Sequence, residues 1–263
     1  MSVFPSATLR SSVVSRLRAA GCVFAEDEAR ILLAAAATPA DLAAMVRSRA
    51  EGHPLEHVVG WAEFAGLRIA VDPGVFVPRR RSEFLVATAA TLIGPDALVV
   101  DLCCGSGALG AAVAAAVPHP VELYAADVDP AAVRCARRNL APYGGRAYHG
   151  DLFAALPVHL RGRIDVLLAN VPYVPTADID LLPPEARLHE ALPALDGGTD
   201  GLDVLRRVTA DAPHWLAPGG SLLFESSERQ IPDALAVSRA AGLDAAASWH
   251  EDLDATVITA ARP

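Results

Sequence analysis

The sequence predicts an α/β chain, with about seven strands in a mostly parallel sheet, preceded by a small helical domain and a connecting β-hairpin. Two observations carry this. After Arg81, strand-like apolar runs alternate with helix-like segments, and runs such as VLLA are apolar without a break, as strands buried on both faces require. Before Ala62, apolar positions recur at helical spacing instead.

The helical region comes first. Leu9, Val13, Val14 and Leu17 stand three and four residues apart, and Gly21 offers a stop. Residues 26–37 and 39–49 read as second and third helices, with Pro39 acceptable in a first turn, and 54–59 as a short helical turn. From Ala62 the period shifts toward two. Phe64, Leu67, Ile69, Val71, Val75 and Val77, punctuated by Asp72-Pro73-Gly74, predict a hairpin. Strands follow at 97–101, 121–127, 146–150, 164–170, 220–225, 243–249 and 255–260. The stretch 172–198, rich in Pro, Asp and Glu, is long for a loop and reads as a lid or substrate loop. The domain division is therefore helical over 1–61, hairpin linker over 62–80 and catalytic over 81–263.

Composition narrows the function. A chain that is 52% hydrophobic and 20% charged folds around a core. A net charge of -9 argues against stable nucleic-acid binding, whose affinity comes mainly from neutralising phosphates. Arg79-Arg80-Arg81 and Arg134, Arg137 and Arg138 form small basic clusters, read as solvated faces. Cys22, Cys103, Cys104 and Cys135 have no CxxC spacing and the eight histidines are scattered, so no metal site is expected. Reduced thiols, no leader-like N-terminus and no apolar run of about 18 residues predict a cytoplasmic protein without membrane association.

LVVDLCCGSGALG (98–110) places Gly105 and Gly107 between an apolar strand and an Ala-rich helix. Glycines there allow close backbone approach to a ligand at a helix N-terminus, although a plain tight turn uses them too. Asp127 lies about 20 residues after Gly107, at a strand end, where a carboxylate accepts from ribose hydroxyls. Asp129, before Pro130, reads as a helix N-cap. Asp151, followed by Leu152, either receives an adenine amino group or caps a helix.

Asn170-Val171-Pro172-Tyr173 follows the fourth strand of the sheet, at the edge where open α/β sheets bind ligands. An amide or exocyclic amine is a poor nucleophile because its lone pair is delocalised. If the Asn170 side-chain oxygen and a neighbouring backbone carbonyl accept its two N–H groups, the lone pair is turned toward a methyl donor. Pro172 restricts Val171 to extended conformations, and Tyr173 can wall the pocket. An ordinary Asn turn beside a core tyrosine is the other reading. Glu190 and Glu225 could line the site, but a helix cap or a strand-end ion pair is the favoured reading of each.

These motifs resemble the protein glutamine N5-methyltransferases that act on peptide chain release factors and a ribosomal protein. PLEHVVGWAEFAGLRIAVDPGVFVPRRRSEFLV (54–86) is similar to that family's hairpin and proline-arginine segment, DLCCGSG to its S-adenosylmethionine (SAM) loop, and NVPY to its NPPY signature. HEALPALDGGTDGLD (189–203) and FESSERQ (224–230) also look familial.

The resemblance implies a seven-stranded, Rossmann-like SAM-methyltransferase sheet behind a substrate-docking helical domain. SAM would be held by Asp101, Cys103, Cys104, Gly105, Ser106, Gly107, Asp127, Asp151, Leu152 and Asn170. Asn170, Val171, Pro172 and Tyr173 would carry the chemistry. The implied reaction is methyl transfer to a glutamine side-chain amide of a protein, with a release factor as the implied partner in translation termination. N-methylation of a small molecule or of a nucleic-acid amino group, and a catalytically silent SAM-binding scaffold, stand as alternatives.

The chain also departs from the family pattern. Cys103 and Cys104 replace Gly and a small polar residue, Arg80 and Arg81 occupy the Pro-Glu of a PRPETE-like stretch, Val171 replaces the first Pro of NPPY, and Ala191 replaces a Pro. The Val171 backbone carbonyl survives its substitution, so the two-acceptor arrangement is retained while the turn loses rigidity.

Overall fold

A computed structural model describes residues 7–263. The reading of the first residues as free of a leader lies outside the described residues. Helices α1 (Ala7–Ala19), α2 (Ala25–Ala35), α3 (Pro39–Ala50) and the short α4 (Leu55–Val59) form the N-terminal module. Val13, Leu17, Ala25, Ala29, Leu32, Leu42 and Val46 make its core. Thr38 caps α3 by accepting the Asp41 N–H at 3.1 Å, with Pro39 in the first turn. Inside this module Arg49 donates to both oxygens of Glu28, at 2.7 and 3.1 Å, and both residues are buried.

Strands β1 (Trp61–Phe64) and β2 (Leu67–Ala70) form the antiparallel hairpin. Its turn is Ala65-Gly66, both with positive φ (49° and 74°), as a two-residue turn of matching twist needs. The expected punctuation at Asp72-Pro73-Gly74 is instead a second turn, closed by the Val75 N–H on the Asp72 carbonyl at 3.1 Å. Val71, Val75 and Val77 are buried without a partner strand, so their alternation marks burial and not pairing. With Phe64 and Ile69 they enter the core on one face of the main sheet.

The main domain continues through α5 (Glu83–Ala90), β3 (Leu98–Leu102), α6 (Ala108–Ala116), β4 (Glu122–Asp127), α7 (Pro130–Leu140), β5 (Arg146–His149) and β6 (Ile164–Ala169). It ends with α8 (Pro184–His189), α9 (Asp203–Trp215), β7 (Leu216–Glu225), α10 (Ile231–Ala240), β8 (Asp244–His250) and β9 (Ala255–Ala261). The seven strands lie in the order β5-β4-β3-β6-β7-β9-β8, and β9 alone runs opposite to the other six. The seven expected strands all form. β7 starts earlier than its apolar run because Leu216 already pairs with Ile164, across an irregularity in the ladder. Every residue of β3 is buried, which is why its sequence does not alternate. Gly107 (φ 77°) sits where an added Cβ would press on Ala136 at 3.0 Å, so its bareness lets α6 and α7 approach.

Candidate active site

The chain leaves β3 for β4 on one side and returns to β6 on the other, making a switch point beside β3. A cavity of about 960 Å3 opens there, walled by the loops that follow β3, β4, β5 and β6. That volume lies at the upper end of the range for ligand pockets, about 300–1,000 Å3. Cys103, Cys104, Gly105, Ser106, Asp127, Asp151, Leu152, Asn170, Val171, Pro172 and Tyr173 all line it.

The turn after β3 is tightly wound, with positive φ at Cys103 (53°), Gly105 (52°) and Gly107 (77°). Asp127 holds it from β4. One of its carboxylate oxygens accepts the Gly105 N–H at 2.8 Å, and the other accepts the Asp129 N–H at 2.8 Å. Burial pushes the Asp127 carboxyl up, against those N–H bonds. Asp129 caps α7 as expected, accepting the Ala131 N–H at 2.8 Å. Burial, then Asp127, also raises the Cys103 thiol, and burial raises Cys104, so both stay protonated.

Two of the implied cofactor residues do not reach the cavity wall. Asp101 is wholly buried, accepts the Gly110 N–H at 3.0 Å and thereby pins the start of α6. Gly107 faces α7. Both shape the loop from behind, because their strand-end and helix-start positions point into the core. Asp151 makes no capping bond and pairs instead with Arg207 of α9, which also lines the cavity.

The Asn170–Tyr173 turn is braced from outside. Gln230 donates to the Tyr173 carbonyl at 3.0 Å and to the Asp200 carbonyl at 2.9 Å, and its own oxygen accepts from Ser227 at 2.6 Å. A Cβ at Gly201 would overlap the Tyr173 carbonyl, so that loop packs backbone to backbone.

In the proline-arginine segment Arg80 is exposed, as the solvated reading expects, while Arg79 and Arg81 line the cavity. Arg79 donates to both oxygens of Glu190 at 2.7 Å, and one of those oxygens also accepts the Val77 N–H at 3.1 Å. Arg81 stacks over the Tyr173 ring at 5.5 Å, donates to the Tyr173 hydroxyl, and brings Nε to 3.5 Å from Glu225. Glu190 and Glu225 are thus ion-pair carboxylates, and burial raises both. Among the residues sequence reasoning passed over, Phe76, Arg79, Arg81, Glu185 and Arg207 line the cavity. The acidic partners of Arg79 and Arg81, Glu190 and Glu225, lie more than a hundred residues further along the chain, and a pairing over that separation leaves no local signal.

The long loop carries short helical turns at Thr176–Leu181 and Leu192–Ala194 around α8. It covers the cavity, contributing Leu182, Pro183 and Glu185, and the helical module holds it. Arg49 reaches Glu185 at 2.7 Å, and the His53 and His189 rings lie 4.4 Å apart. Burial, then His53, lowers the His189 pKa.

A family model, the methyltransferase small domain, matches residues 66–236. The fold is therefore that of a methyltransferase, a class whose members draw on SAM. The residues present fit that group: bare Gly105 faces the cavity, and Asp127 presents a carboxylate at the end of the neighbouring strand.

The chain is similar to the release factor glutamine methyltransferase of Geobacter sulfurreducens, at 39% identity over 71% of this chain and 66% of the relative. The chain spans just under two thirds of that relative. It is also similar to the release factor glutamine methyltransferase of Bifidobacterium longum, at 35% identity over 90% of this chain and 92% of the relative. The 4-amino-L-phenylalanine/4-methylamino-L-phenylalanine methyltransferase of Streptomyces pristinaespiralis is 36% identical over 82% of this chain and 76% of its own. Among solved structures, a methyltransferase from Pyrococcus furiosus superposes with a TM-score of 0.55 at 17% identity, covering 74% of this chain and 88% of that one. The chain belongs to the release factor glutamine methyltransferase family.

Proposed function

We propose that the chain transfers a methyl group from SAM to the side-chain amide nitrogen of a glutamine in a protein, with a peptide chain release factor as the partner. The observation that carries this is the meeting of two motifs in one cavity, the Cys103–Ser106 turn with Asp127 and the Asn170–Tyr173 turn. In this reading Cys103, Cys104, Gly105 and Ser106 hold SAM through backbone groups, Asp127 receives its ribose hydroxyls, and Asp151 and Leu152 flank its base. Asp101 and Gly107 support that loop. The sulfonium supplies an activated methyl group, so no metal is needed.

The chain's own task is to orient the acceptor. The Asn170 side-chain oxygen and the Val171 carbonyl each accept one N–H of the amide, which turns the nitrogen lone pair toward the donor. Both acceptors interact more strongly as the nitrogen becomes positive, so they favour the transition state over the ground state. Pro172 and Gln230 keep the two in register. We further propose that residues 1–61 dock the protein partner, that 62–80 links them to the catalytic domain, and that the reaction is cytoplasmic.

Single-turnover methyl transfer to a glutamine-containing release factor tests the assignment. Asn170→Ala is expected to lower that rate by about 10²–10³-fold, as for other lost transition-state hydrogen bonds, while SAM still binds. Wild-type turnover in this variant would sink the amide-orienting role.

A second reading is favoured by one comparison. The relative named for 4-amino-L-phenylalanine matches this chain about as well as the release-factor enzymes do. An arylamine has a delocalised lone pair too, and the same two acceptors would orient it.

A further inference from the structure

We propose that the acceptor end of the cavity contains a carboxylate site built on Arg81, so that the methyl acceptor carries a carboxylate a short distance from the nitrogen it presents. This deepens the N-methyl-transfer reading and rests on it.

The charges that line the cavity carry the inference. Arg79 is held by both oxygens of Glu190, whose side chain is 1% exposed. Glu185 is tied to Arg49, and Arg207 to Asp151. Asp196 accepts from the Thr176 hydroxyl at 2.7 Å and from the Gly198 N–H at 2.9 Å, and Asp127 and Asp129 accept from backbone N–H groups. Arg81 differs from all of these. Among the described residues its carboxylate contact is a single approach of 3.5 Å to Glu225, with 46% of its side chain exposed, whereas Arg207, though 55% exposed, is closely paired with Asp151.

Arg81 is also held ready. The Tyr173 ring lies under its guanidinium, the Tyr173 hydroxyl takes one N–H, and Glu225 stands behind its Nε with a side chain only 5% exposed. A guanidinium fixed by stacking loses little freedom when it forms further bonds, and its planar fork matches a carboxylate. The position is informative as well. Arg81, held against Tyr173, lines the same cavity as Asn170 and Val171, so an acceptor whose nitrogen is held at those two shares that space with its guanidinium. Phe76, Leu182 and Leu195 line the same cavity, which suits an apolar body bearing the acid. Two sources share this chemistry, the α-carboxylate of a free amino acid and an acidic side chain flanking a glutamine.

The test uses the full chain loaded with S-adenosylhomocysteine and two ligand pairs, each differing in one carboxylate. The first is 4-amino-L-phenylalanine against 4-aminophenethylamine. The second is a glutamine peptide with a flanking glutamate against the same peptide with glutamine there. Calorimetry should show the acid of one pair binding about 10–100-fold more tightly than its neutral member, the range for a charge-assisted hydrogen bond. Which pair discriminates identifies the source.

Arg81→Gln should abolish that preference by weakening the acid alone, and Arg81→Lys should keep part of it. Equal affinities within both wild-type pairs, or no binding by either acid, overturn the site. So does an Arg81→Gln variant that weakens both members equally, since Arg81 would then only prop Tyr173. Methyl transfer from labelled SAM is read in parallel mixtures of the same ligands without S-adenosylhomocysteine. An acid that binds with the expected preference yet is never methylated leaves the carboxylate site standing and removes the N-methyl-transfer reading.

Discussion

Asp101 lies wholly inside the main domain, with one carboxylate oxygen accepting from Gly110 and the other without a partner among the described residues. Burial, opposed by the Gly110 N–H and reinforced by Asp127, pushes its pKa from 3.8 to about 7. The folded chain therefore holds a proton here between those values that the unfolded chain has released. Stability from this group is full below the unfolded pKa and is lost as pH rises to the folded one. Asp101→Asn cannot ionise and removes that slope. Denaturant unfolding at pH 5 and pH 8 should show the variant gaining on the parent at the higher pH. A gap that stays constant between the two would mean that Asp101 ionises in the fold as easily as in the open chain.

At the scale of elements, the long loop over the cavity is fastened at its middle. Glu190 accepts from Arg79 and from the Val77 N–H, and the Ala191 N–H reaches the Gly74 carbonyl at 3.1 Å. Glu190→Ala strands a backbone N–H and a partly exposed guanidinium, a loss of about 1–3 kcal/mol. Because the loop roofs the acceptor end, the cost should be local. Amide exchange should rise across 184–194 and leave β3 and β6 unchanged. Exchange that rises equally through the sheet would show that the clamp supports the whole domain instead.

At the scale of the molecule, the hairpin packs with the catalytic core while the helices before it form a separate core. A chain beginning at Leu55 keeps Phe64, Ile69, Val71 and Val75 in place and loses the helical module. It should bind SAM with little change, since no described residue before Phe64 lines the cavity. Methylation of a protein partner should fall steeply, because docking and the Arg49 contact to Glu185 go together. Full-rate modification of the partner by a folded chain of this kind would refute the docking role.

The sequence by itself determined the strands, the helices and the two cavity motifs. Each depends on neighbours along the chain: unbroken apolar runs for buried strands, glycines for a turn, Asp129 before Pro130 for a cap. The hairpin shows the limit of that information, since the alternation through Val77 reported burial and could not say which residues pair. Tertiary structure alone decided that Arg79 and Arg81 line the cavity, that Asp101 works from behind it, and that the helical module touches the loop covering it. Those outcomes depend on charges and surfaces far apart in the chain, and such pairings exist only once the sheet has brought the strand ends together.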